Sequence, residues 1–209
     1  MAVPSMSVGW TAGAPGTTDL VPVSVTIDTN VVSLQFDLLY NTNYLTPGAP
    51  VGGDALSNQQ LYYNVVSPGL YRVLAVSFTD TPLTNGVAAF VPFAIAPTTP
   101  DHDEVLVLSN VVLVNSQAES VPVTFSSNAL LSITVPPRFI VVFPTNAGAM
   151  HLELTGTTGR VYVIEATTNL VPPQWSPLTT NTDTTGLLPF DDFSAIAFPS
   201  RFYRARFDH

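Results

Sequence analysis

The sequence predicts an all-β protein made of a large β-sandwich followed by a second, smaller β-sandwich. Apolar and polar residues alternate with a period of two in several segments, which is typical of strands with one buried face. The 19 Pro and 12 Gly among 209 residues favour strands separated by turns over long helices. A hydrophobic share of 46% with only 10% charged residues is too apolar for a disordered chain and suffices for a buried core.

The clearest strand is predicted over residues 31–40. Its inward positions are Leu34, Phe36, Leu38 and Tyr40. Its outward positions are Ser33, Gln35, Asp37 and Leu39. Residues 20–27 alternate in the same way, and Pro22 within them indicates a sheet edge or a strand start, because proline donates no ladder hydrogen bond. A short loop at residues 28–30 predicts that the two strands are antiparallel neighbours.

Turn signals divide the next part of the chain. Residues 44–60 hold five Pro or Gly residues and predict a long loop, with a short helical turn near residues 54–60. Ser67-Pro-Gly69 lies between two patterned segments, residues 61–66 and 70–78, and predicts a hairpin.

Four later segments complete the larger sandwich. A strand is predicted at residues 86–95, and the nearly continuous apolar run of residues 105–114 predicts a strand buried on both faces. Alternation resumes at residues 121–125 and again at residues 131–135. Pro136 and Pro137 then remove two backbone donors and predict a break in strand pairing.

The predicted domains are an N-terminal extension at residues 1–17, a large sandwich at residues 18–136 and a small β domain at residues 137–209. Charge supports the second boundary. Residues 1–136 hold nine acids and one arginine, a net charge of −8, whereas residues 137–209 hold six acids and five arginines, a net charge of −1.

Short strands are predicted in the small domain. They lie at residues 150–154, 161–166, 175–179 and 201–207. Residues 155–159 predict a hairpin turn between the first two. Trp175, Tyr162 and Tyr203 are expected to form an aromatic core. Three arginines near the C-terminus are expected to pair with acids of the first domain. They are Arg201, Arg204 and Arg206.

Composition excludes several classes of function. With no Lys and a net charge of −9, the chain repels nucleic-acid phosphates and anionic lipids. The absence of Cys removes disulfides and thiolate chemistry. The longest apolar run is interrupted by Pro92 and is too short to span a membrane. No signal peptide is expected in the chain as given, yet the Lys-free surface rich in Thr, Asn and Ser favours an extracellular or cell-surface location.

No catalytic motif is visible, and the chain is predicted not to be an enzyme. Its three histidines lie outside any nucleophile-elbow or zinc-protease setting. One acidic group, Asp101, Asp103 and Glu104, offers oxygen ligands of the kind that calcium prefers. The alternative for this group is a solvated loop tip without metal. No other cofactor is predicted.

Residues from about 18 to 136 resemble a cohesin-type module. The resemblance rests on an ordered series of strands: Val-Pro-Val-Ser-Val-Thr-Ile at 21–27, Leu-Gln-Phe-Asp-Leu-Leu-Tyr-Asn-Thr-Asn-Tyr-Leu at 34–45, Leu-Tyr-Arg-Val-Leu-Ala-Val-Ser-Phe at 70–78, Val-Ala-Ala-Phe-Val-Pro-Phe-Ala-Ile at 87–95, and the closing strand at 131–135. The resemblance implies a nine-stranded jelly-roll sandwich that binds a dockerin through one sheet face. No dockerin-type calcium loop occurs in the chain, so a dockerin partner would be a separate molecule.

The C-terminal part is similar to small β repeats of secreted proteins from Verrucomicrobia and their relatives. Three pieces carry this resemblance: Gly-Arg-Val-Tyr-Val-Ile-Glu-Ala-Thr-Thr-Asn-Leu at 159–170, Trp175-Ser-Pro-Leu, and Arg-Phe-Tyr-Arg-Ala-Arg at 201–206. The resemblance implies no activity.

The leading functional hypothesis is a non-catalytic binding or scaffolding module that recognises a protein partner. Its candidate partner-binding residues are Ser33, Gln35, Asp37, Tyr63 and Arg72. The first three lie on the strand of residues 31–40, which the cohesin resemblance places on the partner-binding sheet. A plain solvated strand face is the alternative. Two other functions remain open: carbohydrate binding by surface aromatics, and self-association as the subunit of a surface filament, with residues 1–17 as a pairing extension.

Overall fold

The structure is a computed structural model and describes residues 3–27, 30–145 and 148–208. The chain forms two compact units, Met1–Thr134 and Val135–His209. Within the described residues both units consist of strands, and the single helical element is a short 3-10 turn at Ala195–Ala197. No helix in this part of the chain is long and apolar enough to cross a membrane.

The first unit is a sandwich of two sheets. The six-stranded sheet contains β1 (Ser5–Val8), β3 (Thr18–Thr26), β5 (Leu45–Pro47), β6 (Val51–Gly52), β9 (Gly86–Ile95) and β12 (Thr124–Ser126). The seven-stranded sheet contains β2 (Thr11–Gly13), β4 (Val31–Leu39), β7 (Gln60–Ser67), β8 (Leu70–Val76), β10 (His102–Asn115), β11 (Ser120–Val121) and β13 (Asn128–Ile133).

The strand order in the six-stranded sheet is β12-β1-β3-β9-β5, with β6 also on β9. In the seven-stranded sheet it is β2-β13-β10-β4-β8-β7, with β11 also on β10. The β7–β8 hairpin and the strand at Gly86–Ile95 confirm the sequence predictions.

The core lies between the two sheets. Inward side chains of β4 and β8, such as Phe36, Leu38 and Val73, meet inward side chains of β3 and β9, such as Val23 and Phe93, and all five are essentially inaccessible to solvent. Burying a Val, Leu or Phe side chain stabilises a fold by about 1.5–3 kcal/mol. The period-two pattern therefore identifies the buried face of each of these strands correctly.

The predicted pairing of the first two long strands is wrong. β3 pairs with β1 and β9, whereas β4 pairs with β10 and β8 in the other sheet. The two strands lie in different sheets of the sandwich. Alternation specifies which side of a strand is buried and not which strand lies beside it. Pro22 is also not at an edge. It lies just beyond the end of β1, level with Gly9, whose N–H donates to the Pro22 carbonyl at 2.8 Å.

The N-terminal residues are not a separate extension. β1 pairs with β3 and with β12, and β2 pairs with β13, so both strands are part of the sandwich. β1 thus has a partner strand on each side, and β2 has one on one side.

Two further predictions for the first unit are wrong. No helical turn occurs at residues 54–60; the two short strands β5 and β6 pair with β9 instead, and the carboxylate of Asp54 accepts a hydrogen bond from the Val87 N–H at 2.7 Å. β10 is not buried on both faces either. Leu106, Leu108 and Leu113 are buried, but Val105, which points to the other side of the sheet, is 44% exposed.

The second unit contains two three-stranded sheets. One has the order β14 (Arg138–Pro144), β15 (Met150–Thr155), β18 (Leu187–Asp192), and the other has the order β17 (Ser176–Thr182), β16 (Val161–Thr167), β19 (Phe202–Phe207). A compact apolar cluster fills this unit. Its fully buried members include Leu152, Leu154, Tyr162 and Ile164. The Tyr162 hydroxyl accepts a hydrogen bond from the Thr157 N–H at 2.7 Å.

The structure corrects three predictions for this unit. Residues 155–159 link two sheets and are not a hairpin turn, since β15 and β16 do not pair. Trp175 lies outside the apolar core and stacks on the guanidinium of Arg204 at 4.5 Å. The C-terminal arginines pair inside their own unit: Arg201 with Asp192, and both Arg204 and Arg206 with Glu165.

Candidate partner-binding face

The outer face of the seven-stranded sheet is the surface that points away from the core. On β4 it carries Ser33, Gln35 and Asp37, because these residues alternate with the buried Leu34 and Phe36. The register of the neighbouring strands extends this face sideways. On β8 the outward residues are Arg72 and Leu74, which lie opposite Asp37 and Gln35.

A polar centre lies in the middle of this outer face. Arg72 donates from Nε and Nη2 to the two carboxylate oxygens of Asp37, at 2.7 and 2.8 Å. Asn110 adds a third hydrogen bond from Nδ2 to Asp37 at 3.0 Å. Asp37 is only 3% exposed although it lies on the outward side of its strand. Two parallel hydrogen bonds of this kind fix the orientation of the guanidinium relative to the carboxylate.

A β-bulge in β10 positions the third donor. Ser109 lies opposite Asp37 and Val112 lies opposite Gln35, so β10 contains one residue more than β4 in this interval. Asn110 has a φ of 48°, a left-handed conformation that asparagine tolerates better than most residues. The bulge therefore turns the Asn110 side chain over the carboxylate, in line with the role of bulges in re-aiming side chains.

The electrostatics of the polar centre favour the ionised carboxylate. Burial alone would raise the pKa of Asp37, but the hydrogen bonds from Arg72 and Asn110 and the positive charge of Arg72 outweigh burial and lower that pKa. The same hydrogen bond raises the pKa of Arg72 above its ordinary value. Asp37 and Arg72 thus form a fixed ion pair with little net charge to offer a partner.

Apolar side chains flank the polar centre on one side. Leu74 and Val76 of β8 and Val112 and Val114 of β10 line a shallow groove of about 250 Å³ that crosses β4 at Ser33 and Gln35. The Ser33 hydroxyl is occupied, since it accepts a hydrogen bond from the Ser77 N–H at 3.1 Å.

A second apolar patch lies on the other side of the polar centre. Leu39, Val105 and Leu130 are each about 40% exposed there. Val105 and Leu130 are directly opposite each other on β10 and β13, and Leu39 lies opposite Val107. The outer face therefore presents a polar row between two apolar areas, a composition suited to a protein interface.

The profile of the Cohesin domain family matches residues 4–135, which is more than half of the chain. The chain belongs to the cohesin family. Its first unit has the cohesin jelly-roll fold, as the sequence resemblance predicted, and the second unit lies outside the match.

Solved cohesin structures agree with this assignment. The sixth cohesin of scaffoldin B from Acetivibrio cellulolyticus, solved in complex with a dockerin, shares 21% identity at a TM-score of 0.57, over 63% of this chain and 99% of that chain. The solution structure of CaCohA2 from Clostridium acetobutylicum shares 21% identity at a TM-score of 0.57, over 63% of this chain and 91% of that chain. A non-cellulosomal cohesin from the archaeon Archaeoglobus fulgidus shares 24% identity at a TM-score of 0.54, over 64% of this chain and 92% of that chain. At these identities the likeness shows the fold alone. A search of curated proteins found no match.

The structure separates the two tyrosines on the edge strand of this cohesin domain. Tyr62 lies opposite Leu74 and shares the outer face with it, whereas Tyr63 lies opposite Val73 and points to the core side. Both are exposed, at 47% and 51%. Among the sequence-predicted binding residues Tyr63 is therefore on the wrong side of the sheet, and Tyr62 takes its place on the outer face.

The acidic residues predicted to bind calcium are not brought together. Successive residues of β10 point to opposite sides, so Asp103 and Glu104 diverge. The Glu104 carboxylate accepts a hydrogen bond from His102 Nε2 at 2.9 Å. Among the described residues no three His, Cys, Asp or Glu side chains are grouped so that they could hold a metal ion. Calcium binding by this cohesin domain stays a prediction.

Sequence reasoning identified the middle strand of the face and missed its apolar flanks. The residues missed are Leu74, Val105, Val112 and Leu130. A signal for them exists, because β8 and β10 have apolar residues at both inward and outward positions. In a sheet with one solvent-exposed side, such a strand places apolar side chains on the surface. The nearly continuous apolar run of residues 105–114 predicts burial on both faces, whereas in the structure its outward apolar residues lie on the surface.

Proposed function

We propose that this cohesin domain is a non-catalytic module that binds a dockerin-type protein partner through the outer face of its seven-stranded sheet. Membership of the cohesin family supports protein binding, and a relative with the same fold was solved in complex with a dockerin. The observation that carries the choice of surface is the groove of Leu74, Val76, Val112 and Val114 beside a fixed polar row.

Each part of the face has a separate role in this proposal. The groove and the patch of Leu39, Val105 and Leu130 provide apolar area, whose burial drives association at about 25 cal/mol per Å². The backbone of Gln35 is paired with β8 and β10, but its side chain makes no hydrogen bond to any described residue, so the amide is available to a partner in the middle of the groove. The ion pair of Asp37 and Arg72 is already satisfied and fixes the shape of the surface rather than contributing free charge.

A matched pair of variants tests the choice of face. Leu74→Arg introduces charge into the groove, and Leu20→Arg introduces the same charge at a residue of β3 that is 50% exposed on the other sheet. Binding to a panel of purified dockerins is measured by calorimetry, with thermal unfolding as the fold control. Leu74→Arg is expected to weaken binding by at least about tenfold, since one disrupted central apolar contact costs 1–2 kcal/mol or more, and Leu20→Arg is expected to bind normally. Equal binding by both variants, or loss in both, contradicts the proposal.

The alternatives are further outcomes of the same experiment. Retention of the wild-type chain on an insoluble polysaccharide, lost in Tyr62→Ala, would assign the face to carbohydrate instead, because Tyr62 is its exposed aromatic side chain. Residues 5–13 are paired within their own sandwich, so a filament built on an N-terminal donor strand would require β1 or β2 to leave it.

An extracytoplasmic location is part of the proposal. A Lys-free surface rich in Thr, Asn and Ser and a partner of dockerin type both support it. Fractionation of cells that express the full-length gene tests it, and recovery in the cytosolic fraction alone would contradict it. The assignment of the second unit to a repeat of secreted proteins stays a prediction.

A further inference from the structure

β7 is the terminal strand of the seven-stranded sheet, and its outer backbone edge is open. In the described part of the chain its only strand partner is β8. None of residues 60–67 forms a backbone hydrogen bond to a described loop residue either. A row of unpaired N–H and C=O groups of this kind is a template for another extended strand.

The devices that usually protect a sheet edge are missing from β7. Its sequence, Gln-Leu-Tyr-Tyr-Asn-Val-Val-Ser, contains no charged residue and no proline, whereas protected edges carry lysine, proline or inward-pointing charge. The strand is regular from Gln60 to Val65, and its one irregularity, at Val66, comes at the end next to the hairpin turn. The strand is thus uncharged in a chain whose net charge is −9.

The side chains of β7 are exposed on both sides of the sheet. Tyr62 on the outer side is 47% exposed, and Tyr63 and Val65 on the core side are 51% and 46% exposed. The six-stranded sheet does not cover these core-side residues, so the apolar edge of the sandwich is open. A partner lying on one face alone would leave half of this surface uncovered, whereas a strand placed beside β7 covers both sides.

We propose that two copies of this chain pair through β7, antiparallel and about a two-fold axis at Asn64. A two-fold axis perpendicular to the sheet keeps each side chain on its own side, so the two residues of a pair must both have even numbers or both have odd numbers. With the axis at Asn64, Tyr63 of each copy lies opposite Val65 of the other copy, which gives two such pairs. Aromatic and β-branched side chains in such cross-strand positions stabilise pairing by about 0.2–1 kcal/mol each. No charge meets a like charge along the strand.

The pairing is isologous and therefore closes at a dimer rather than extending into a filament. It joins the two seven-stranded sheets edge to edge and leaves both outer faces on the same side of the combined sheet. A dimer would present two copies of the partner-binding face side by side and would bind a bivalent partner with increased avidity. This consequence rests on the proposed function, whereas the pairing itself does not.

Charge complementation at Asn64 tests the register. Asn64→Lys and Asn64→Asp each place like charges directly opposite one another at the two-fold axis, which is destabilising. Sedimentation velocity over a concentration series, in the absence of any binding partner, is expected to show a reversible dimer for the wild-type chain and about tenfold weaker association for each variant alone. An equimolar mixture of the two variants is expected to recover dimers, because the opposed charges are then opposite in sign.

Gln117→Lys, on an exposed turn away from β7, is the charge control and is expected to dimerise like the wild type. Thermal unfolding shows whether each variant is folded. A wild-type chain that is monomeric across the series overturns the proposal, as does a dimer that both Asn64 variants leave intact. Failure of the mixture to recover dimers overturns the register. Because no dockerin is present, these results are independent of the dockerin-binding test.

Discussion

Each unit of this chain contains a carboxylate buried on an outward position of an interior strand, and the two units neutralise it differently. Asp37 on β4 is 3% exposed and is held by Arg72 and Asn110. Glu165 on β16 is 5% exposed and is held by two arginines, Arg204 at 2.6 Å and Arg206 at 3.1 Å. A buried carboxylate without donors is costly, so both arrangements serve stability first.

The difference lies in redundancy. The small unit has five arginines, and loss of one donor to Glu165 leaves another charged donor in place. The cohesin domain has a single arginine within residues 1–136, so Arg72 alone provides a positive charge that neutralises Asp37. Arg72, predicted from sequence as a partner-binding residue, is for this reason primarily a residue that stabilises the face.

The largest effect is expected from Arg72→Ala. The variant leaves Asp37 buried with only the neutral Asn110 as donor, so the free energy of unfolding of the cohesin domain should fall by more than in the Asn110 and Arg204 variants. The fall is smaller than for a fully enclosed pair because Arg72 is partly exposed. Pulsed hydrogen exchange with mass spectrometry in a urea series resolves peptides of the two units and measures each separately. An unchanged midpoint for peptides of β4 and β8 would show that water replaces the guanidinium without cost.

Asn110→Ala is expected to lower the free energy of unfolding by a smaller amount, about 1–2 kcal/mol. The variant loses a hydrogen bond to a charged acceptor and places alanine at a φ of 48°, a conformation that alanine disfavours. Asn110→Gly is the matched control: it loses the same hydrogen bond but adopts this φ freely. The same urea series compares the two variants. If glycine destabilises as much as alanine does, the backbone conformation of the bulge contributes nothing.

Arg204→Ala should lower the stability of the small unit by about 1 kcal/mol or less, since Arg206 continues to neutralise Glu165 and the lost arginine is largely exposed. Removing both arginines should cost more than the sum of the single variants, because only the double variant leaves Glu165 unpaired. Strict additivity in this double-mutant cycle would contradict the redundancy inferred for the small unit.

The smallest change in the free energy of unfolding is expected on mild acidification. Burial alone would raise the pKa values of Asp37 and Glu165, but the hydrogen bonds and charges of their arginine partners lower both. A lowered pKa in the folded state stabilises the fold above the pKa of the unfolded chain, about 4 for these groups, and this contribution is lost as the pH falls through the folded-state pKa. Unfolding of the wild type and of Arg72→Ala from neutral to acidic pH should show a difference that shrinks toward low pH. A difference that is constant with pH would assign the effect of Arg72 to packing.

Part of the candidate face could be predicted from sequence for a local reason. Ser33, Gln35 and Asp37 lie two residues apart between buried apolar residues, and side-chain direction in a strand follows position alone. The choice between Tyr62 and Tyr63 required the register of β7 against β8, and adjacent tyrosines give no local signal for it.

The sequence by itself determined that the chain is built of strands, where most of them lie and which side of the alternating strands β3 and β4 is buried, because alternation and turn residues act over a few residues. The tertiary structure alone decided that β3 and β4 belong to different sheets, that Asn110 closes over Asp37 and that apolar residues of β8, β10 and β13 meet on one surface. Each of these depends on pairing between segments far apart in the chain, and strand pairing is set by the packing of whole sheets rather than by any local pattern.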